Sequence, residues 1–510
     1  MDFLRVTLSA FTVCTMSFVA VPRAEGKRVV LMAMPFTSHT KYQTNVARQM
    51  VKRGHQVWLT MPDFLVAKGV LDTTDINVIE YAAPMGNIEE QLMHGFRDNY
   101  FRYERDDWDS LASLHVQFCH EMLTNETFFN TVRNLKPDFF VFDNLPMLKM
   151  LTIIPYRLGL KFAFVGSAFE GVSQRIPFSP AYTPVPMFPF NHHMTFTERL
   201  QNVLVYILFI LKDPYVNKDP VARYAPDMPH VSLDLLVASA EIWLVEFDHI
   251  LDYPRPSMPN VKLIGGTATG PTKPLPPKVK SFMDGAQEGV VIVSFGSYVL
   301  NLPKVIEEKV FNVLQQLPFK SVFRSNVTSP NPGKILTSPW IPQNDLLGHP
   351  NTKVFVSHCG KNGQYEALYH AVPVVATPMF ADQPYNAERM RVKGFADTLD
   401  LRTATEEELK AAIVRVATDP RYKKAISTAS ELFRIEFGVP METAGFWLDH
   451  VMKYGGAHMR SAGHEVPYWK FLGLDVFGFI FLVLFSVLGL ILCCLRLVFR
   501  RLFRRKQKTA

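Results

Sequence analysis

The chain has 510 residues, 48% hydrophobic and 20% charged, with a formal net charge of +7 and a pI near 9.0. This length leaves room for two or three domains with sizeable cores. The basicity does not describe a nucleic-acid-binding face. Seven basic residues and no acidic one lie between Arg496 and the C-terminus, and they account for the whole net charge.

Arg5 precedes an apolar stretch, Val6 to Val21, with small residues at Ala20 and Ala24. Residues 1–24 are thus expected to be a secretory signal peptide. From Lys27 to Met34 runs KRVVLMAM, a buried strand; a loop and a helical stretch follow, ending at Arg53-Gly54, and then a second strand, His55 to Thr60. That order is one βαβ unit of a parallel sheet. Phe139 to Asp143 and Phe162 to Val165 continue the sheet, so residues 27–251 form a first Rossmann-like domain. Within it, Asp107-Trp108-Asp109 is a D-x-D in the charged run RYERDDWDS, which suits a solvated helix face better than a metal site. Val203 to Leu211 is too short to span a bilayer; as a helix it is buried or lies against a membrane surface.

A Pro-rich stretch, residues 252–277, has the composition of a linker. Gly289 to Ser294, Thr352 to Ser357 and Pro373 to Thr377 are strands of a second Rossmann-like domain, 278–450, followed by a juxtamembrane segment, 451–475. Val476 to Leu495 is uncharged and about the length needed to cross a bilayer, and the basic tail 496–510 follows it directly. The expected fold is α/β, two facing domains with a cleft at the strands' carboxyl ends, plus one C-terminal membrane helix. Cys119 and Cys359 are too few for a disulfide framework, and no zinc-type spacing is present. Sequons at Asn125 and Asn326 are compatible with a luminal surface.

The segment Trp340 to Gln383 carries the chemistry. Trp340 can stack on a base and Gln343 can read its edge. The turn His358-Cys359-Gly360-Lys361-Asn362-Gly363 runs from a strand into a helix, whose first N–H groups suit a diphosphate. Glu366 lies about a turn further on and can accept from ribose hydroxyls, while Asp382-Gln383 offers an acceptor and an amide to a sugar. Each feature alone is weak; their joint spacing is not.

Together with DYPRPSMPN, VIVSFGS and GAHMRSAGH, this segment resembles the UDP-glycosyltransferase family, in its membrane-bound animal branch that includes glucuronosyltransferases. The resemblance covers nearly the whole chain. It implies a GT-B fold and inverting, metal-free transfer from a UDP-sugar, with no cofactor, to a small lipophilic acceptor. By position it implies that Trp340 and Gln343 hold uracil, Ser297, His358, Gly360 and Asn362 the diphosphate, Glu366 the ribose, and Asp382 with Gln383 the sugar. Cys359 stands where animal members often have Gly, and the loop is expected to survive the change. His39, in the loop MPFTSH, is similar to the family's catalytic base, and Asp143 falls where its acidic partner is found. The blander reading makes His39 a loop histidine and Asp143 a helix cap.

Such a protein is expected in the endoplasmic reticulum membrane, with luminal domains and Lys506 and Lys508 forming a cytosolic retrieval signal. Its partners would be the donor, the acceptor and the membrane, not nucleic acid; a monomer and an oligomer are both compatible. A catalytically inactive carrier of sugar nucleotide or lipid is the alternative. Glucuronosyltransferases commonly have Arg three residues after the Trp that aligns with Trp243, whereas this chain has Glu246. An acid there would repel a glucuronate carboxylate, so a neutral hexose such as glucose is expected to serve at least as well; the alternative is that Glu246 points elsewhere and another cation, such as Arg255, meets the carboxylate.

Overall fold

Short β-branched runs become strands covered on both faces, because the intervening helices pack on either side of each parallel sheet. The computed structural model describes residues 26–104, 108–169, 171–177, 179–186, 188–211 and 219–506. The expected signal peptide and Asp107 lie outside these residues.

The first sheet contains β1 (Arg28–Met32), β2 (Gln56–Pro62), β3 (Asn77–Tyr81), β4 (Phe139–Phe142), β5 (Lys161–Gly166), β6 (Trp243–Val245) and β7 (Val261–Leu263). Their order is β3-β2-β1-β4-β5-β6-β7, parallel throughout. The strand order reverses between β1 and β4, so a crevice opens at their carboxyl ends. The second sheet contains β8 (Val290–Ser294), β9 (Lys320–Arg324), β10 (Ile335–Ser338), β11 (Thr352–Ser357), β12 (Val374–Ala376) and β13 (Ala396–Thr398). Its order, β10-β9-β8-β11-β12-β13, reverses between β8 and β11. The two reversal points face one another across the cleft. This is the GT-B arrangement of two parallel-sheet α/β domains.

Two domain boundaries differ from the sequence reading. The stretch 252–277 is not a solvated linker, because it contributes β7 to the first sheet and buries Asp252, Tyr253, Asn260 and Thr267. Its prolines set direction between buried anchors. The helix Pro440–Tyr454, whose residues up to 450 are expected from sequence in the second domain and the rest in the juxtamembrane segment, packs against the first domain. Its Leu448 and Val451 pack with β1 and β2 residues, and Asp449 accepts from Arg53 Nε and, at 2.6 Å, from His55 Nε2.

The C-terminal helix runs from Leu474 to Lys506; within it Leu474–Arg501 is long and apolar enough to cross a membrane and contains the expected uncharged stretch 476–495. The helix Phe196–Leu211 buries only Asn202, which excludes the buried alternative for the apolar run within it.

Asp252 ties the domains together. It is fully buried, accepts from Arg255 Nη2 at 2.8 Å and from Tyr385 Oη at 2.5 Å, and pairs with Arg389 Nη1. Replacing Asp252 by Ala leaves two buried guanidinium groups without a counter-charge, which costs about 3–5 kcal/mol. Urea unfolding of the full chain in detergent should show that loss; a change below about 1 kcal/mol would mean that the arginines find other partners.

Candidate active site

His39 lies in the first turn of the helix Thr37–Lys52, directly after β1. No side chain of the helix's own caps that end. Glu89 does so from another element, accepting from the Thr37 N–H and, at 2.8 Å, from its hydroxyl. Asp143 follows β4, the neighbour of β1, so adjacent strands deliver the two groups to one point. His39 Nδ1 is 2.7 Å from Asp143 Oδ2 and 3.0 Å from the Tyr42 hydroxyl. With Nδ1–H donated to the carboxylate, the imidazole presents Nε2 as an acceptor to the cleft. Burial alone would lower the His39 pKa, but the charge and hydrogen bond of Asp143 outweigh it and hold the imidazole above its ordinary value. Gly166, at the end of β5, makes room for this pair: a Cβ there would stand 2.7 Å from Asp143 Oδ1 and 2.8 Å from the Tyr42 hydroxyl.

Opposite stands the turn after β11. The helix Lys361–Tyr369 has Gly360 at its N-cap and no side-chain cap, so its first N–H groups are left for a ligand. His358 sits between two glycines; a Cβ on Gly296 or Gly360 would come within 2.3 or 2.4 Å of its Nε2. Burial, reinforced by Arg324, pushes the His358 pKa down to about 4, so this imidazole is neutral, and its buried Nδ1 has no partner. Cys359 has φ +61°, in the left-handed region that favours glycine. Burial raises its thiol to about 12, so it is not a thiolate nucleophile.

Every second-domain residue expected in the site lines one cavity of about 1320 Å³ together with His39. Asp143 lies beneath His39 and is fully buried. Arg324 covers the Trp340 indole at 5.1 Å from its centroid, and the ring is still 40% exposed. Gln343 donates Nε2 to Glu366, which leaves its carbonyl for a ligand, and Glu366 also accepts from Lys41 Nζ at 3.1 Å. Gln383 spends its carbonyl on the N–H groups of Met379 and Phe380, at 2.9 and 3.2 Å, so it offers N–H donors only. Asp382 accepts from Asn386 at 2.7 Å. Asn362 reaches across to the Ser38 carbonyl at 3.4 Å, and Ser297 lines the cavity beside Tyr298, whose hydroxyl is 2.6 Å from Ser38 Oγ.

One expectation needs correction. Glu246 does not face the cleft. Its carboxylate is buried on Thr267, accepting from that residue's N–H at 2.7 Å and from its hydroxyl at 2.5 Å, and burial raises its pKa. A group held there does not confront a sugar carboxylate directly. Lys41, Tyr42, Gly166 and Lys361 stand at the site without having been singled out from sequence. The signal for Lys41 was its place two residues after His39, and Lys361 lay inside the quoted turn. Among the described residues no group of three or more His, Cys, Asp or Glu is placed to hold a metal ion.

A sequence profile described as "UDP-glucoronosyl and UDP-glucosyl transferase" matches residues 27–509. The chain is similar to human UDP-glucuronosyltransferase 2B7, 32% identical over 422 residues, covering 80% of this chain and 79% of the relative. It is 35% identical to guinea-pig (Cavia porcellus) UDP-glucuronosyltransferase 2A3 over 391 residues, 74% of this chain and 73% of that one. Among solved structures, the fold is similar to the kitacinnamycin glycotransferase, with TM-score 0.58 and 19% identity over 84% of this chain and 99% of the other. The spinosyn forosaminyltransferase SpnP gives TM-score 0.59 and 15% identity, covering 84% of this chain and all of SpnP.

Proposed function

The chain belongs to the UDP-glycosyltransferase family and is a UDP-glycosyltransferase, and from that premise we propose inverting, metal-independent transfer of a glucuronosyl or glucosyl group to a hydroxyl of a small lipophilic acceptor. The observation that carries this reading is the His39–Asp143 pair, 2.7 Å apart, across the cleft from Asp382 and Gln383. His39 Nε2 takes the acceptor's hydroxyl proton as its oxygen bonds to the sugar's anomeric carbon. The bond from that carbon to the β-phosphate breaks on the opposite face, and its electron pair leaves with UDP. One displacement from the far face inverts the centre. Asp143 fixes the tautomer and stabilises the imidazolium that forms.

Trp340 stacks on the uracil and the Gln343 carbonyl accepts from its N3–H. Glu366 exchanges Lys41 for the ribose hydroxyls. The bare start of the helix Lys361–Tyr369, with Ser297, Asn362 and the neutral His358, receives the diphosphate. Asp382 accepts from sugar hydroxyls and Gln383 donates to them. The UDP-sugar is a co-substrate, so no cofactor is required. The mostly apolar cavity favours an apolar acceptor. An inactive carrier would have no use for a paired, cleft-facing histidine.

The His39→Ala variant should lose about 10²–10⁴-fold in kcat with donor affinity nearly unchanged. As the base must be neutral, wild-type kcat/KM should fall as the pH drops through the raised His39 pKa, with a midpoint above 6.5. In Asp143→Asn the largest raising causes are gone while burial and the weaker pull of Glu246 and Asp382 remain, so that midpoint should move down while kcat falls. A midpoint unmoved by Asp143→Asn, or UDP release unaffected by His39→Ala, would overturn the assignment. Activity should persist in EDTA; loss reversed by Mg²⁺ would overturn the metal-independent reading.

We also place the chain in the endoplasmic reticulum membrane, anchored by Leu474–Arg501 with its domains in the lumen. The support is the order of apolar helix and basic tail, since basic flanks stay cytosolic. Changing Lys506 and Lys508 to Ser should let the protein reach the Golgi or cell surface, as followed by imaging. Unaltered residence would remove their retrieval role.

A further inference from the structure

The helix Phe196–Leu211 carries an apolar stripe that none of the described residues covers. Phe196, Leu200, Leu204, Ile207, Leu208 and Leu211 recur at three- and four-residue spacing and are 44–71% exposed. The opposite face is pinned by the buried Asn202, which accepts from the Val185 N–H at 2.8 Å and donates to the Thr183 carbonyl at 2.9 Å. The helix is therefore held with its apolar side outward. Its only charges, Glu198 and Arg199, lie in the first turn.

The stripe also has a neighbour that states what it meets. The Tyr206 hydroxyl is 3.1 Å from that of Tyr468, in the short helix Tyr468–Phe471, where Trp469 is also exposed. Three residues after Phe471, Leu474 begins the helix that is long and apolar enough to cross a membrane. The bilayer surface is thus within a few residues of Tyr468, and aromatic side chains suit that interface. The catalytic cavity reaches the same corner, because Tyr206, Phe209, Ile210, Tyr468 and Trp469 line it along with His39.

We propose that the helix Phe196–Leu211 lies in the leaflet where the C-terminal helix begins, and that the corner between it and Tyr468–Trp469 is a portal through which lipid-dissolved acceptors pass to His39. An amphipathic helix seats its apolar face roughly 5–10 Å into the headgroup boundary. The acceptor end of this inference rests on the transfer reading above.

The test uses the full chain in phosphatidylcholine nanodiscs. A nitroxide on Leu204→Cys, with Cys493 and Cys494 changed to Ser, should be more accessible to oxygen than to an aqueous nickel chelate. The triple variant Leu200→Lys, Leu204→Glu, Leu208→Lys should raise KM about ten-fold or more for a strongly partitioning phenol. KM for the UDP-sugar and for a water-soluble phenol should hold. Nickel access, or equal effects on both phenols, would overturn the portal. If no acceptor is turned over at all, the transfer reading fails, and the nitroxide still decides where the helix lies.

A separate observation concerns the sugar. Of the cations lining the cavity, Lys41 is paired with Glu366, Arg255 and Arg389 with Asp252, Arg324 bonds the Gly296 carbonyl, and Lys149 is engaged as well. Lys361 has no carboxylate partner among the described residues. Its Nζ donates to the Ser167 carbonyl at 2.7 Å and stands 4.3 Å from the Phe247 ring centroid, so two of its three N–H donors are unspent. Burial, with Arg389 adding to it, depresses the ammonium to about 8 even though Glu246, Asp252 and Asp382 pull the other way through space, and a directly adjoining anion would relieve that cost. We infer that Lys361 is the counter-ion for an acidic sugar, the carboxylate of a uronic acid carried on UDP. This too rests on the transfer reading.

UDP-glucuronate and UDP-glucose should be competed on one phenol, and their binding compared by calorimetry. Wild type should prefer the glucuronate. Lys361→Met, which keeps the apolar stem, should lower that preference about ten-fold or more in both readouts, over and above any change in UDP affinity, which both donors share. A preference for UDP-glucose in wild type, or an unmoved ratio, would overturn the assignment. Absence of turnover with either donor would fail the transfer reading while the calorimetric ratio still tests Lys361.

Discussion

The buried carboxylate of Asp252 holds the two halves of the molecule in register. Burial opposes its ionisation, but Arg389 and Arg255 outweigh that and keep it below the ordinary carboxylate range. Arg389 belongs to the helix Gln383–Val392, whose N-cap is Asp382, so this one ion cluster fixes Asp382 and Gln383 relative to the first domain. An apolar core could supply equal stability, as buried ion pairs rarely exceed well-packed hydrophobic replacements. It could not supply the same direction, because a guanidinium fork and a carboxylate accept only a narrow set of geometries.

Much of this arrangement could be read from the chain because parallel-sheet proteins place their chemistry where strands end. The loop holding His39, the residue after FFVF and the turn after TKVFVS were all recognisable as strand-end positions. The structure puts them at the two points where strand order reverses. What stayed illegible was set by distant contacts. The strands WLV and VKL are three residues each, too short to carry a period, and form because β5 offers an edge to extend. Proline content marked 252–277 as a linker, and composition carries no sign that Asp252 would meet Arg389 more than a hundred residues later. Glu246 misled for the same reason: its neighbour in space, Thr267, decides where its carboxylate points.

Two histidines show how position, not residue type, sets electrostatic character. His39 keeps an elevated pKa since Asp143 more than compensates its burial, so a proton arriving there is stabilised. His358 has no such partner and a guanidinium nearby, so burial and Arg324 hold it near 4. At neutral pH the first can gain and lose a proton, and the second is a fixed neutral dipole between two glycines. Proton transfer needs the former property. Receiving a leaving phosphate needs only an N–H donor that does not titrate. A charged imidazole at the second place would bind UDP more tightly before and after transfer alike, which lowers KM without speeding the bond-breaking step and slows product release. A neutral donor beside an uncapped helix end strengthens its hold as charge develops on the departing oxygen, and relaxes it no less readily once UDP leaves. The glycines at 296 and 360 hold the His358 ring where burial keeps it neutral, because a Cβ at either would displace it.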